Sequence, residues 1–141
     1  MKAISKTVSV APMMDCTDKH DRYFLRLISK NVMLYTEMIV ANAIIRGDRD
    51  FHLKFNLLEK PLALQIGGSN PKELAQATKI AEEYGYDEIN LNLGCPSKKV
   101  QKNKFGACLM KEPNLVGECV SEMKNASSLP VTVKTRIGFD N

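Results

Sequence analysis

The 141-residue sequence lacks most of the features that would place a protein in a membrane, a zinc site or a disulfide framework. It has no tryptophan, its hydrophobic runs are short, and no apolar segment follows the N-terminal lysine as a signal peptide would require. Its four cysteines form no CxxC pair, and its two histidines lie far from any zinc-ligand spacing. These absences predict a cytoplasmic protein with reduced thiols, no metal ion and no membrane contact.

The composition is that of a folded domain with a slight excess of positive charge. Apolar residues make up 44% of the chain and charged residues 26%, and the formal net charge is +4. A mildly basic balance alone says little about a polyanionic partner. The positions of the lysines along the chain are therefore more informative than their number.

A short β-rich run, a polar or glycine-bearing turn and a helical stretch recur along the chain. The five predicted strands are 8–10, 34–36, 62–64, 88–93 and 131–133. Asn70-Pro71 and Gly85 delimit one predicted helix, Pro113 opens another, and the apolar residues of 24–28 suggest a third. Strands joined by helical crossovers predict an α/β fold with a mostly parallel sheet.

Two parallel architectures fit this pattern, an open doubly wound sheet and a (β/α)8 barrel. The sequence contains no GxGxxG fingerprint, and its absence favours the barrel. A complete barrel needs about 250 residues. Residues 1–141 are therefore expected to supply about the first half of a barrel, with five of its strands.

Each predicted strand ends in a polar or otherwise distinctive segment. In both architectures functional groups gather at the carboxyl ends of the strands, so these segments are expected to share one rim. They are Pro12-Met13-Met14, Glu37, Gln65, Asn92-Leu93-Gly94-Cys95 and Lys134-Thr135-Arg136.

Five sequence blocks at these strand ends resemble, in order and spacing, those of the tRNA-dihydrouridine synthases, particularly the (20/20a) branch. The blocks are VAPMMD at 10–15, YTEM at 35–38, ALQIGG at 63–68, NLNLGCPS at 90–97 and VTVKTRIG at 131–138. A single GCP tripeptide would be a weak signal, but five ordered blocks are specific. The resemblance covers nearly the whole chain.

The resemblance implies a fold, an activity and a set of cofactors. The family fold is an FMN-binding (β/α)8 TIM barrel followed by a small helical tRNA-binding domain, and residues 1–141 correspond to the N-terminal part of the barrel. The C-terminal half of the barrel and the helical domain would lie outside this sequence. The implied reaction reduces uridine in the D-loop of tRNA to 5,6-dihydrouridine, with FMN as the hydride donor and NADPH as the source of electrons.

The resemblance also implies roles for individual residues. Cys95 in GCPS matches the catalytic cysteine that gives a proton to the uracil ring, and Asn92 matches the asparagine that contacts the target uridine. The matching FMN contacts are Pro12, Met13, Met14, Gln65 and Lys134.

A thiol suits this proton transfer. A free cysteine has a pKa of about 8.5, so it is still protonated at pH 7, whereas an ordinary carboxylic acid has already ionised. Gln65 can both donate and accept hydrogen bonds at a flavin ring, and Lys134 can stabilise the anionic reduced flavin. For Lys134 a structural ion pair, for example with Glu37, stays open as an alternative.

A lysine-rich segment follows the proposed acid directly. Its basic members, which are predicted to bind the RNA substrate, are Lys98, Lys99, Lys102 and Lys104. Lysines at such a rim would neutralise phosphates while the target base leaves its stack. The alternative is an ordinary solvated loop.

Two other functions remain open on the sequence alone. One is another FMN barrel that reduces pyrimidines, similar to dihydroorotate or dihydropyrimidine dehydrogenase. The other is an inactive half-barrel that binds RNA or a second copy of itself. Under either enzymatic hypothesis, residues 1–141 alone are expected to be inactive.

Overall fold

The computed structural model describes residues 8–139. Its strands are β1 (Leu34–Tyr35), β2 (Ile39–Val40), β3 (Leu62–Gly67), β4 (Glu88–Leu93) and β5 (Val131–Thr135). Its helices are α1 (Lys19–Ile28), α2 (Ala41–Arg46), α3 (Arg49–Leu53), α4 (Pro71–Glu83), α5 (Lys98–Lys102) and α6 (Pro113–Ala126). Two 3-10 turns, at Leu57–Glu59 and Gly106–Lys111, complete the regular structure of this part of the chain.

The strands form one parallel sheet in the order β1-β3-β4-β5, and β2 also pairs with β3. Helix α4 packs between α2 and α6, so these crossover helices lie on one side of the sheet. A doubly wound sheet carries helices on both sides, whereas a barrel carries them only on the outside. The predicted α/β class is confirmed, and the sheet is the first half of a (β/α)8 barrel.

The two faces of β3 and β4 differ in chemistry. The side chains directed towards the helices are apolar and fully buried, and they include Leu64, Ile66, Ile89 and Leu91. Successive strand residues point to opposite sides, so the opposite face carries the polar residues of these strands, Gln65, Glu88, Asn90 and Asn92, together with Ala63 and Gly67. The polar face is the concave side of the half-barrel, and it leads to the carboxyl ends of the strands.

Strands β1 and β2 are two parts of one interrupted strand along the same edge of β3. Tyr35 pairs with Ala63, and Ile39 pairs with Ile66. The chain therefore advances four residues from β1 to β2 while β3 advances three. One extra residue therefore bulges out, as in a β-bulge. The sequence predicted a single strand over 34–36 and did not predict the second pairing.

The predicted first strand, at residues 8–10, is wrong in extent. Ser9 forms a single parallel bridge with Met33, flanked by the bonds from Val10 N–H to Met33 O (3.0 Å) and from Met33 N–H to Val8 O (3.1 Å). The pairing is parallel as expected, but it is too short to form a strand. The other four predicted strands are present: 88–93 has the bounds that were predicted, and the remaining three differ by one to three residues at their C-terminal ends.

The predicted helix between Asn70 and Gly85 is confirmed as α4. The side-chain oxygen of Asn70 accepts hydrogen bonds from the N–H groups of Lys72 and Glu73, and Pro71 occupies the first helical turn. Gly85 follows the helix with a φ of 84°, a backbone conformation that favours glycine. The helix predicted from Pro113 is also present, as α6, and it buries Cys119 and Met123.

The third predicted helix is present as α1, but it buries a different face from the one its apolar residues suggest. Within the described residues Phe24, Leu27 and Ile28 are 59%, 69% and 68% exposed. The buried residues of this helix are instead Arg22 and Arg26.

These two arginines attach α1 to the segment that leads into β3. Arg22 Nε donates to Glu59 Oε2 over 2.6 Å, and both side chains are buried. Arg26 donates from Nε and Nη2 to the backbone carbonyl of Glu59. Glu59 Oε1 accepts from the N–H of Asn56 and so closes the capping box of the 3-10 turn. One carboxylate therefore joins the helix, the turn and the start of the central strand.

No helix in the described part of the chain, residues 8–139, is long and apolar enough to cross a lipid bilayer.

Removal of the Glu59 charge is expected to destabilise the protein far more than removal of an exposed partner charge. Glu59→Gln leaves the buried Arg22 guanidinium uncompensated, which costs about 3 kcal/mol or more. Asp50→Asn is the matched control, because Asp50 pairs with Lys54 on the surface, where a pair contributes about 1 kcal/mol at most. Urea denaturation of both variants gives the two changes in the free energy of unfolding, and equal small losses would contradict a structural role for the buried pair.

Candidate active site

A row of polar side chains covers the concave face of the central strands. Glu88 and Asn90 of β4 and Gln65 of β3 are buried, and Asn92 is half-buried at the end of β4. Burial of so many polar groups is tolerable only when their hydrogen bonds are made. Here each amide is bonded to its neighbour on the adjacent strand.

The amide groups form a connected series across β3 and β4. Gln65 Nε2 donates to Asn90 Oδ1 over 2.7 Å, and Asn92 Nδ2 donates to Gln65 Oε1 over 2.8 Å. Asn90 Nδ2 continues the series by donating to Thr132 Oγ1 of β5 over 2.9 Å. Gln65 is thus held between two asparagines, which fixes the orientation of its amide plane.

Asn92 also holds the turn that carries Cys95. Its Oδ1 accepts hydrogen bonds from the N–H groups of Gly94 (3.2 Å) and Cys95 (3.0 Å). The carbonyl oxygen of Cys95 accepts from the N–H of Ala107 over 3.0 Å. The backbone on both sides of the thiol is therefore fixed, although the residue itself is only half-buried.

Gly106 permits this close approach of the second segment to the Cys95 turn. Its φ is 75°, and a Cβ built at this position would lie 2.7 Å from the carbonyl oxygen of Cys95 and 2.5 Å from Val100 Cγ1. Any other residue would displace the turn or strain its own backbone. Glycine at position 106 is therefore part of the architecture of the site.

A cleft of about 660 Å³ lies at this rim, and Cys95 forms part of its wall. Its lining is mostly apolar and includes Met14, Met38, Val40 and Phe105. Polar side chains enter it from Asn42, Asn70, Glu73 and Lys99. A cleft of this size with a mostly apolar surface and a limited set of polar side chains is typical of a small-molecule site.

The first loop is attached to this rim by Glu37 in the bulge between β1 and β2. The Glu37 carboxylate accepts a hydrogen bond from the N–H of Asp15, a residue with a φ of 60°. Thr17 and Met13 bond each other within the loop. Among the described residues Glu37 forms no ion pair with Lys134, so the structural pair left open by the sequence is not present there.

Of the residues predicted to contact FMN, the structure brings some together and leaves others apart. Met14 lies in the cleft with Cys95, and Gln65 is linked to the Cys95 turn through Asn92. Met13 is 48% exposed and, like Pro12, does not line the cleft. The sequence placed these residues on one loop correctly, but only Met14 reaches the cleft in the described part of the chain.

Lys134 lies beside Asn92 on the concave face, since the two residues are register partners in the β4–β5 pairing. Its side chain is exposed and, within residues 8–139, makes no hydrogen bond or ion pair. It does not line the cleft that contains Cys95. Gln65, Asn92 and Lys134 therefore form a second row of groups next to the cleft.

Most of the basic segment forms a short helix. Lys98, Lys99 and Lys102 belong to α5, and Lys104 follows it with a φ of 57°. All four side chains are exposed, and none forms an ion pair within the described residues. Only Lys99 reaches the cleft wall.

Cys119 is more deeply buried than the other three cysteines. It is fully buried under α4, and burial raises its pKa to about 11. Cys108 is half-buried and donates to the carbonyl of Phe105, and Cys16 is exposed beside the first loop. Cys95 alone lines the cleft among the cysteines of the described chain. No cluster of acidic, histidine and cysteine side chains that could hold a metal ion occurs in residues 8–139.

Sequence reasoning missed four polar groups behind the site, of which Glu88 and Asn90 are buried and Tyr35 and Thr132 are half-buried. Their signal was available in β4, where polar residues at 88, 90 and 92 alternate with apolar ones at 89, 91 and 93. That alternation indicates a strand with one polar face, but it does not show which partners the polar side chains have.

Comparison with known proteins gives a consistent result. The sequence model of the dihydrouridine synthase (Dus) family matches residues 9–141. The chain is 60% identical over 139 residues to the tRNA-dihydrouridine(20/20a) synthase of Shewanella oneidensis and 58% identical over 134 residues to that of Synechocystis. It is 61% identical over 134 residues to the enzyme of the same name from Vibrio parahaemolyticus.

These alignments cover nearly all of the chain but only part of each relative. They span 99% of the chain and 41% of the Shewanella protein, 95% and 41% for Vibrio, and 95% and 40% for Synechocystis. The chain thus spans about two fifths of the length of the curated relatives it matches. Because the family model matches residues 9–141 and the strands form a parallel half-barrel, the chain belongs to the dihydrouridine synthase family.

Proposed function

We propose that the full-length protein reduces uridine in tRNA to 5,6-dihydrouridine, with FMN as the hydride donor and Cys95 as the proton donor. The observation that carries this proposal is the Cys95 turn, which is fixed on both sides and faces the cleft at the carboxyl rim. Relatives named tRNA-dihydrouridine(20/20a) synthase support uridine in tRNA as the substrate. In this proposal residues 1–141 are the N-terminal part of the barrel, and the protein acts in the cytoplasm.

The described residues fit a flavin at the concave face. Each end of the Gln65 amide makes one hydrogen bond, so one N–H and one oxygen lone pair remain for the edge of a planar ring. Lys134 brings a positive charge without a partner in residues 8–139, next to Asn92 in the sheet. Pro12, Met13 and Met14 would cover the ring from the first loop, and Met13 and Met14 expose 48% and 54% of their surfaces.

Bound FMN would supply a hydride to C6 of the uracil ring, with NADPH as the source of its electrons. Lys134 would hold the negative charge of the reduced ring by electrostatic attraction. Gln65 would orient the ring edge, because its amide plane is fixed by Asn90 and Asn92. Neither residue needs to move a proton.

Cys95 completes the reduction in this mechanism. Its S–H bond breaks as a C–H bond forms at C5 of the uracil, and solvent returns the proton to the thiolate. The mostly apolar wall of the cleft would limit the access of water to a ring bound there. Asn92 binds the turn through Oδ1, and its position beside the thiol supports a contact with the target uridine as well.

The lysines of α5, together with Lys104 just after it, are proposed to bind the RNA. Lys98, Lys99, Lys102 and Lys104 lie directly after Cys95 in the chain, at the same rim. Exposed ammonium groups without ion pairs are free to contact phosphates. They would hold the tRNA while the target base turns out of its stack and into the cleft.

Cys95→Ala is expected to abolish most dihydrouridine formation while NADPH still reduces the bound FMN. Loss of a general acid costs about 10² to 10⁴ in rate. The full-length variant is assayed for dihydrouridine in tRNA and, separately, for FMN reduction by absorbance. Cys16→Ala removes an exposed thiol near the same rim and should leave both rates unchanged. Normal dihydrouridine formation by Cys95→Ala would remove Cys95 from the mechanism.

Lys134→Met is expected to weaken FMN binding by about 10- to 100-fold, since a charged hydrogen bond contributes about 1.5–3 kcal/mol. The measurement is a titration of apoprotein with FMN, followed by flavin fluorescence, and the subsequent rate of reduction by NADPH. Lys134→Arg keeps the charge and should retain most of the affinity. Unchanged affinity and reduction rate in Lys134→Met would place the flavin elsewhere.

Replacement of the four rim lysines by alanine is expected to weaken tRNA binding and to flatten its dependence on salt. The slope of log affinity against log salt should fall by roughly 0.7 to 0.9 for each phosphate that a lysine no longer neutralises. The control replaces exposed lysines away from this segment, Lys30, Lys79 and Lys124, and the effects are compared per charge removed. Equal slopes for the two variants, with normal FMN reduction in both, would identify α5 as a solvated surface.

A further inference from the structure

We propose that Thr132 and Glu88 are positioning residues for Cys95, and that they act through a one-directional series of hydrogen bonds which ends on the Cys95 backbone. The inference deepens the proposed function and rests on it for the role of the thiol. Neither residue contacts the cleft. The series of hydrogen bonds is observed in the described residues and does not depend on the proposed function.

The direction of the series is set at its inner end by Glu88 Oε1. This oxygen accepts one hydrogen bond from the Thr132 hydroxyl, over 2.6 Å, and another from the Tyr35 hydroxyl, over 2.8 Å. Burial raises the pKa of Tyr35, so its hydroxyl stays protonated and continues to donate. Because Thr132 gives its only hydroxyl proton to Glu88, its oxygen can act towards Asn90 only as an acceptor.

The remaining links follow from that first one. Asn90 must offer Nδ2 to Thr132, so its Oδ1 faces Gln65. Gln65 must then offer Nε2 to Asn90, so its Oε1 faces Asn92. Asn92 in turn offers Nδ2 to Gln65, and its Oδ1 is left to accept the backbone N–H of Cys95.

Reversal of any amide in this series would set two N–H groups, or two oxygens, against each other. Gln65 and Asn90 are buried, so the unpaired groups would have no water to replace the broken hydrogen bonds. The series therefore keeps an acceptor at Asn92, and it connects this residue to Glu88 of the same strand, β4, through Thr132 of β5, Asn90 and Gln65 of β3. Without it, an Nδ2 group would face the N–H groups of Gly94 and Cys95, and the turn would lose its anchor.

The consequence for the reaction concerns orientation and not substrate affinity. The backbone turn decides where the Cys95 thiol lies in relation to the uracil ring, and proton transfer requires a close, aligned approach. A loosened turn should lower kcat, while KM for tRNA, which depends on contacts with the RNA, should change little. This pattern differs from that of a general loss of stability.

The test compares Thr132→Val with Thr132→Ser in the full-length protein. Valine keeps the branched shape but has no hydroxyl, so Asn90 loses its acceptor. Serine keeps the hydroxyl and serves as the conservative rescue. Hydrogen exchange of the Gly94 and Cys95 amides, read by NMR, reports on the anchor directly, and kcat and KM for tRNA reduction report on its consequence. If the Glu88 carboxylate sets the direction of the hydrogen bonds, Glu88→Ala should show the same changes in amide exchange and kcat as Thr132→Val.

In Thr132→Val we expect both amides to exchange faster and kcat to fall by about tenfold or more. In Thr132→Ser we expect near-normal amide exchange, kcat and KM. Unchanged amide exchange in Thr132→Val would overturn the inference. Faster exchange with an unaltered kcat would also overturn it, because the anchor would then not serve the reaction. A failure of the proposed function gives a different result, namely normal dihydrouridine formation by Cys95→Ala. That result does not depend on how fast the Gly94 and Cys95 amides exchange in the Thr132 variants.

Discussion

The pairing of β3 with β4 is the constraint on which the rest of the described structure depends. Its outer face is an apolar layer under α2, α4 and α6, whereas its inner face is a layer of buried amides. Buried amides are tolerated only if they bond one another in a compatible order. The sheet register places Gln65 beside Asn90, and their order then reaches Asn92 and the Cys95 turn. The fold and the site are therefore specified by the same contacts.

The rim is assembled from segments that are far apart in the chain. The first loop is held by Glu37 in the bulge between β1 and β2, and the Cys95 turn is held from the other side by Ala107 and Gly106. At the opposite end of the sheet, Glu59 joins α1 to the start of β3. Each connection satisfies a buried or half-buried polar group with a partner that is remote in sequence. Such contacts give a rigid frame on which one reactive side chain can be positioned accurately.

Local sequence signals predicted the elements well, and non-local contacts explain the errors. Asn70-Pro71 and Gly85 act within one helix turn of their own positions, so α4 could be predicted closely. The burial of Arg22 could not, because its partner Glu59 lies 37 residues away and only the folded chain brings them together. The second pairing of β3, at Ile39 and Val40, depends in the same way on register. For the site, Cys95 and its neighbours were recognisable as a motif, whereas the series behind them, from Asn90 to Glu88, became visible only through its hydrogen bonds.

The most direct measurement is the structure of the full-length protein with FMN and its tRNA substrate, in which the distance from Cys95 Sγ to C5 of the target uracil is read. Proton transfer from this thiol predicts a separation of about 3–4 Å, with Asn92 Oδ1 still bonded to the Cys95 N–H. A thiol that points away from the base, or a different acidic side chain closer to C5, would contradict the assignment of Cys95 as the proton donor.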